Sequence, residues 1–351
     1  MLNLKEFTLL FIFLFFITPL FAAPIINNSL KLFVEPDAAN TPIITQINDA
    51  KKSIKITMYQ FTFAERKIIN ALIKKAHENI KIKIILQKTV WPEHCNLILN
   101  KFYSCKSNIY ARRLKNLFEK NNIQVHWGSN KFPYTHQKSI IIDNNKAIIM
   151  TMNLSGKAFT TNREYAIIDY NKRDIADIKK LFNADWRNKN IKIENQNLII
   201  SPINARRKIN NFFALTKTDL LIQTEILGDT KIINKLIAIK NNGANIKIIV
   251  APPQNYHDKN ILKHLTHQGI EIKINPSLYM HAKMFVINGA LINTPLPQTY
   301  VYIGSINLIN DSIDKNRELG IIFKNSDKNK NKIIKKLITI FNNDWNKANF
   351  L

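Results

Sequence analysis

Tyr134-Thr-His-Gln-Lys-Ser-Ile-Ile-Ile-Asp143 returns in the second half of the chain as Tyr279-Met-His-Ala-Lys-Met-Phe-Val-Ile-Asn288. Each stretch sets a His and a Lys two positions apart and runs into an apolar tail. The tail predicts a strand, and strand side chains alternate between faces. His136 and Lys138 are then expected to project one way and Asp143 the other, with His281, Lys283 and Asn288 repeating the arrangement. A following strand in each copy (147–153 and 301–307) is expected to carry Asn153 and Asn307. Further on, Asn162-Arg163-Glu164 returns as Asn316-Arg317-Glu318.

The repeat extends well beyond these motifs. Lys67-Ile-Ile-Asn70 matches Lys231-Ile-Ile-Asn234, and Phe182-Asn-Ala-Asp-Trp186 matches Phe341-Asn-Asn-Asp-Trp345. The offset is 164 at the first pair, 145 at the histidines and 154 at Asn153/Asn307 and Glu164/Glu318. Repeat 1 therefore holds an extra stretch before its histidine, and repeat 2 one after its own. A period this long is a duplicated domain, since solenoid units are only ~20–50 residues. Ile- and Val-rich runs alternate with amphipathic stretches such as 65–78 and 232–242, which reads as α/β in both halves. Helices are expected over 174–187 and 332–347, with a helix stop at Asn242-Gly243. The expected division is a leader over 1–22, repeat 1 over 24–190 and repeat 2 over 191–351, with the linker near 188–197.

The leader reading rests on Lys5, an apolar run from Phe7 to Leu20, and Ala22-Ala23 after it. That is the pattern of a secretory signal, and the run is short for a membrane span of ~20 residues. Secretion or delivery to the periplasm is expected, with an uncleaved anchor as the alternative. Export makes the two cysteines, Cys95 and Cys105, candidates for a disulfide within the extra stretch of repeat 1. His94 beside them falls short of a structural zinc set. The chain carries 51 basic and 25 acidic residues, a net charge of +26. Such an excess attracts polyanions, whether nucleic acid or an anionic membrane surface. Only nine of the basic residues are Arg, so the charge alone does not choose between them.

Two His, two Lys and two Asn at matched positions suit a phosphodiester. Lysine and amide donors would neutralise phosphoryl oxygens while one imidazole attacks. The second imidazole would protonate the leaving oxygen and then activate water or an alcohol. Each ring needs a partner on its other nitrogen, and Glu164 and Glu318 are the candidates. With two lysines present, no metal or cofactor is called for. Tyr59 and Glu225 sit at equivalent strand ends that could line the cleft. Tyr134, Tyr279 and Trp127 could wall the substrate or fill the core. His77, His94, His126, His257, His264 and His267 lack matched partners and read as structural.

This pattern resembles the phospholipase D superfamily, whose signature is His-x-Lys-x4-Asp followed by Gly-Ser-x-Asn and a downstream acidic residue. The first copy matches at His136, Lys138 and Asp143, the second at His281, Lys283 and Gly304-Ser305-Ile306-Asn307. The resemblance implies two mixed-sheet α/β repeats packed about a pseudo-two-fold axis, with the site at their interface on a monomer. It implies hydrolysis or alcohol exchange at a phosphodiester through a phosphohistidine, with His136 as nucleophile. Two departures stand out. Asn288 replaces the second Asp, and Met150-Thr151 replaces the first Gly-Ser, keeping a hydroxyl but leaving less room for backbone approach. Asp143, Asn288, Thr151 and Ser305 are accordingly expected to support the site. A phospholipid headgroup is the leading substrate; a metal-independent nuclease and a non-catalytic anion-binding module are the rivals.

Overall fold

The computed structural model describes residues 30–90, 106–294 and 298–351. The expected leader and the Cys95–Cys105 pair lie outside the described residues. Among the described residues no helix is long and apolar enough to cross a membrane.

Repeat 1 contains strands β1 (Leu30–Glu35), β2 (Ser53–Met58), β3 (Lys81–Leu86), β4 (Gln124–Trp127), β5 (Ser139–Ile142), β6 (Lys146–Met150) and β7 (Asn162–Asp169). Repeat 2 contains β8 (Leu198–Ser201), β9 (Asp219–Thr224), β10 (Asn245–Val250), β11 (Glu271–Ile274), β12 (Tyr279–Met280), β13 (Lys283–Ile287), β14 (Tyr300–Gly304), β15 (Glu318–Lys324) and β16 (Asn349–Phe350). The first sheet runs β1-β7-β6-β5-β2-β3-β4. The second runs β8-β15-β14-β13-β9-β10-β11-β16, the same order with one strand added. Both sheets are mixed: β2, β3 and β4 are mutually parallel, while β5, β6 and β7 pair antiparallel.

The strands form where β-branched residues can be buried on both faces, which is why they read as nearly continuous apolar runs. In β3, Ile82, Ile84 and Leu86 enter an outer core with the helix Arg66–His77, while Ile85 enters the opposite one. The outer face of the second sheet packs on its own helices, with Ile222, Ile248 and Phe285 fully buried against Ile232 and Leu236. Between the sheets lies a third core. It joins Tyr165 and Ile167 of β7 to Val301 and Ile303 of β14 through the helices Lys172–Trp186 and Lys328–Lys347. The two repeats therefore share a hydrophobic centre that neither could close alone. Those helices start on side-chain caps, Asn171 accepting from Arg173 and Asp174 N–H, and Asp327 from Lys330 N–H, which satisfies donors left open at a helix start. The helix Thr230–Asn241 ends as expected at Gly243, whose φ of +90° is the left-handed conformation of a helix stop.

The strands are shorter than the motif reading predicts. β5 begins at Ser139 and β13 at Lys283, so His136, Lys138 and His281 precede a ladder and Lys283 stands at the first residue of one. β6 ends at Met150 and β14 at Gly304, so Asn153 and Asn307 lie beyond the strands. These residues are placed by segments that leave the interior strands at their ends, not by strand alternation.

Candidate active site

The segment before β5 is bonded to the other repeat. His136 N–H and Gln137 N–H both donate to the carbonyl of Arg317, at 2.9 and 2.8 Å, and Arg317 N–H donates to Tyr134 O at 2.9 Å. In the second copy, β12 pairs with β7, setting Tyr279 against Asn162 and Met280 against Arg163. Each histidine segment thus lies along the Asn-Arg-Glu strand of the opposite repeat, and the carboxylates cross over. His136 Nδ1 is 2.9 Å from both oxygens of Glu318. His281 Nδ1 is 2.6 Å from Glu164 Oε1.

The arginines of the same motifs make a second crossed pair. Arg163 holds Asp344 with Nε at 2.8 Å and Nη2 at 2.7 Å, and donates Nη1 to Glu35 O. Arg317 holds Asp185, with Nη2 at 3.1 Å, and donates Nη1 to Ser201 O. Asp185 and Asp344 are the acids of the two repeated Asp-Trp endings. Their recurrence was visible in the sequence; their partners were not, because each lies in the other repeat.

Lys138 and Lys283 are fully buried. Each Nζ donates to the carbonyl of the histidine two residues before it, at 2.6 Å. Burial pushes the Lys138 ammonium down to about 7, with Lys283 opposing its charge further and Glu318, Glu225 and Glu164 restoring part of it. Burial likewise pushes His136 down to about 4, against the pull of Glu318. For Glu318, burial alone would raise the carboxyl, but His136 and Lys138 hold it below its usual value. Glu164 is held low in the same way by His281 and Lys283. At neutral pH the geometry therefore gives a neutral His136 whose Nδ1–H donates to an ionised Glu318, leaving Nε2 as the basic nitrogen.

Asn153 and Asn307 are buried, and the side-chain Oδ1 of each lacks a hydrogen-bond partner. Thr151 Oγ1 donates to Glu164 at 2.6 Å and accepts Tyr165 N–H. Ser305 accepts Leu319 N–H and donates to its carbonyl, and it also helps to hold Glu318 low, which Ser312 Oγ meets at 2.5 Å. Ser312 was not singled out in the sequence, since it has no marked counterpart in repeat 1. Asp143 lies in the turn at the far end of β5, where it accepts N–H bonds from Lys51, Lys52 and Ser53. Asn288 accepts from Lys217 and Thr218 N–H and donates to Leu215 and Gln298 carbonyls. Both anchor a turn, so Asp143→Asn288 exchanges one turn anchor for another. The missing glycine also has a packing reason. A Cβ at Gly304 would stand 2.4 Å from Gly320 Cα and 2.5 Å from the Tyr302 hydroxyl, so the glycine makes room for a buried tyrosine inside the sheet. In repeat 1 the corresponding pair is Met150 against Ala166.

Tyr59 and Glu225 end equivalent strands but differ in chemistry. The Tyr59 ring stands edge-on to His136, centroids 4.5 Å apart, with Lys138 Nζ 5.1 Å from its centre. Glu225 Oε2 lies 3.0 Å from Lys283 Nζ, 3.3 Å from Asn307 Nδ2 and 3.5 Å from His281 Nε2. Burial would raise that carboxyl; the charges of His281 and Lys283 hold it far below the usual range instead. Tyr134 packs on Tyr59, Tyr279 donates its hydroxyl to Glu225, and His126 stacks on Trp186 away from the cleft. Among the described residues no group of three His, Cys, Asp or Glu side chains stands together as metal ligands would.

A family model described as cardiolipin synthase, PLD-like domain, matches the chain twice, over residues 43–186 and 209–345. The chain belongs to this phospholipase D-like family. No curated protein matches it by sequence. Phosphatidylserine synthase from Haemophilus influenzae superposes over 93% of this chain and 88% of its own, with a TM-score of 0.68 at 12% identity. Polyphosphate kinase from Porphyromonas gingivalis superposes over 89% of this chain with a TM-score of 0.66 at 15% identity. This phospholipase D-like chain spans 46% of that kinase. At these identities the likeness is one of fold. The duplicated mixed-sheet architecture is thus that of the family, with each half of the model match covering one repeat.

Proposed function

We propose that this chain is a phospholipase D-type phosphodiesterase that cleaves a phospholipid headgroup, or exchanges it for an alcohol, through a phosphohistidine. The crossed His136–Glu318 and His281–Glu164 pairs carry the reading, because they set two oriented imidazoles beside two buried lysines. His136 Nε2 attacks phosphorus, since burial keeps that ring neutral. His281 Nε2 gives its proton to the leaving oxygen, then takes one from the incoming water or alcohol as that oxygen displaces His136. Lys138, Lys283 and the Asn153 and Asn307 amides neutralise the phosphoryl oxygens. Asp143, Asn288, Thr151 and Ser305 hold the frame.

A cavity of about 320 Å³ opens beside Tyr59, walled by Phe61, Phe63, Leu86, Val90 and Tyr110. It supports a lipid, whose apolar body would lie there, separated from His136 by the Tyr59 ring. The family description, cardiolipin synthase, agrees with that choice. The excess of positive charge would favour an anionic membrane surface, and the leader reading would place a monomer outside the cytoplasm. The test is headgroup release from phosphatidylglycerol and phosphatidylcholine vesicles, run beside single-stranded and duplex nucleic acid in EDTA. Headgroup release or exchange is expected. Cleavage of nucleic acid without headgroup release would replace the lipid reading by the nuclease one.

A further inference from the structure

The two half-sites match in His, Lys and Asn but differ in the residue that closes each. On the His136 side it is Tyr59, which also lines the apolar cavity. On the His281 side it is Glu225, whose side chain is 18% exposed. Its Oε2 is engaged by Lys283, Asn307 and His281, while Oε1 meets the Tyr279 hydroxyl at 3.3 Å. A carboxylate offers about four lone-pair positions, so Glu225 retains acceptor capacity beside His281 Nε2. An anionic acceptor 3.5 Å from the nitrogen that handles the alcohol proton is poorly placed to bind phosphate. It is well placed to bind a second donor on the alcohol itself.

We infer that Glu225 selects the alcohol fragment, favouring one that carries a hydroxyl or ammonium group next to the reacting oxygen. This rests on the reading that a phosphohistidine forms on His136 and is discharged on the His281 side. In the transfer step the reacting hydroxyl gives its proton to His281 Nε2, and its oxygen bonds to phosphorus. The phosphorus–nitrogen bond breaks, and its electron pair returns to His136 Nε2. Glu225 moves no proton; it accepts a hydrogen bond from the neighbouring hydroxyl or ammonium.

The experiment uses bis(p-nitrophenyl) phosphate as donor, so that no lipid is needed. The phosphoenzyme partitions between water and added ethanolamine, glycerol or 1-propanol, and products are counted by phosphorus NMR. A hydrogen bond to a charged group predicts that the wild type prefers ethanolamine and glycerol over 1-propanol by about 10- to 100-fold. In Glu225→Gln the ethanolamine preference should fall most, and in Glu225→Ala both preferences should approach unity. The partition ratio does not depend on how fast the phosphoenzyme forms, so a slow variant still reports. Equal use of the three acceptors by the wild type, or ratios unchanged in both variants, would overturn the assignment. Absence of any phosphoenzyme in the wild type would overturn the underlying mechanism instead. Selective transfer to glycerol without action on vesicles would uphold Glu225 and reject only the lipid substrate.

Discussion

His136 and Glu318 lie 182 residues apart in the chain and 2.9 Å apart in space. The contact joins the histidine of one repeat to the carboxylate of the other, and His281 with Glu164 returns it. Neither repeat by itself contains a histidine oriented by its own glutamate. Duplication here makes one site out of two incomplete ones.

Under the proposed mechanism, the crossing gives each glutamate its own kinetic step. Glu318→Gln should slow formation of the phosphoenzyme, because it loosens the attacking ring, while Glu164→Gln should slow its breakdown. Losses of about 10²–10⁴ are expected, as when an orienting carboxylate is removed from a catalytic histidine. Rapid-quench labelling with an activated diester separates the two steps. The opposite pattern would mean that each glutamate serves the histidine of its own repeat.

The pH profile should be bounded by two buried bases. Burial disfavours the charged form of both, so His136 becomes protonated, and loses its nucleophilic nitrogen, only as the pH falls through about 4. Lys138 is charged below about 7 and loses its proton above it. The free enzyme's kcat/KM should therefore decline below about 4 and above about 7. Bound phosphodiester favours the charged lysine, so the alkaline limb of kcat should lie higher. A flat alkaline limb in kcat/KM would remove Lys138 from phosphate binding.

The arginine ties should show in stability. Asp344→Ala leaves Arg163 buried and uncompensated, and Gln223 also loses its acceptor. A loss of about 3–5 kcal/mol is expected from breaking one partner of a buried pair. The double replacement Arg163→Met with Asp344→Leu should recover much of it. Urea unfolding of the three variants provides the comparison.

Asp143 should matter to folding more than to turnover. Asp143→Ala removes the acceptor of three backbone N–H groups and should cost about 1–3 kcal/mol. Its kcat/KM should stay close to wild type at temperatures where the protein is folded. A loss of activity as deep as that of His136→Ala would place Asp143 in the chemistry.

Turnover should persist in EDTA, because the proposed mechanism draws the positive charge at the phosphate from Lys138 and Lys283. Abolition by EDTA, with rescue by one divalent cation, would overturn that account.

The duplication, the α/β class and the His, Lys, Asn and Glu of each motif were legible in the chain, because local periodicity and a repeated order of chemistry survive without coordinates. So was the equivalence of Tyr59 and Glu225, since both end the same strand of their repeat. The pairing of these residues was not legible. Which glutamate meets which histidine, and which aspartate meets which arginine, depends on two sheets sharing one core through the helices Lys172–Trp186 and Lys328–Lys347. The strand boundaries escaped for a related reason: the motif residues leave the ladder to bond with the opposite repeat, and such long-range backbone partners have no sequence period. Sequence alone thus determined the parts and their number. Only the packing of one repeat against the other decided that each half-site is completed by its neighbour.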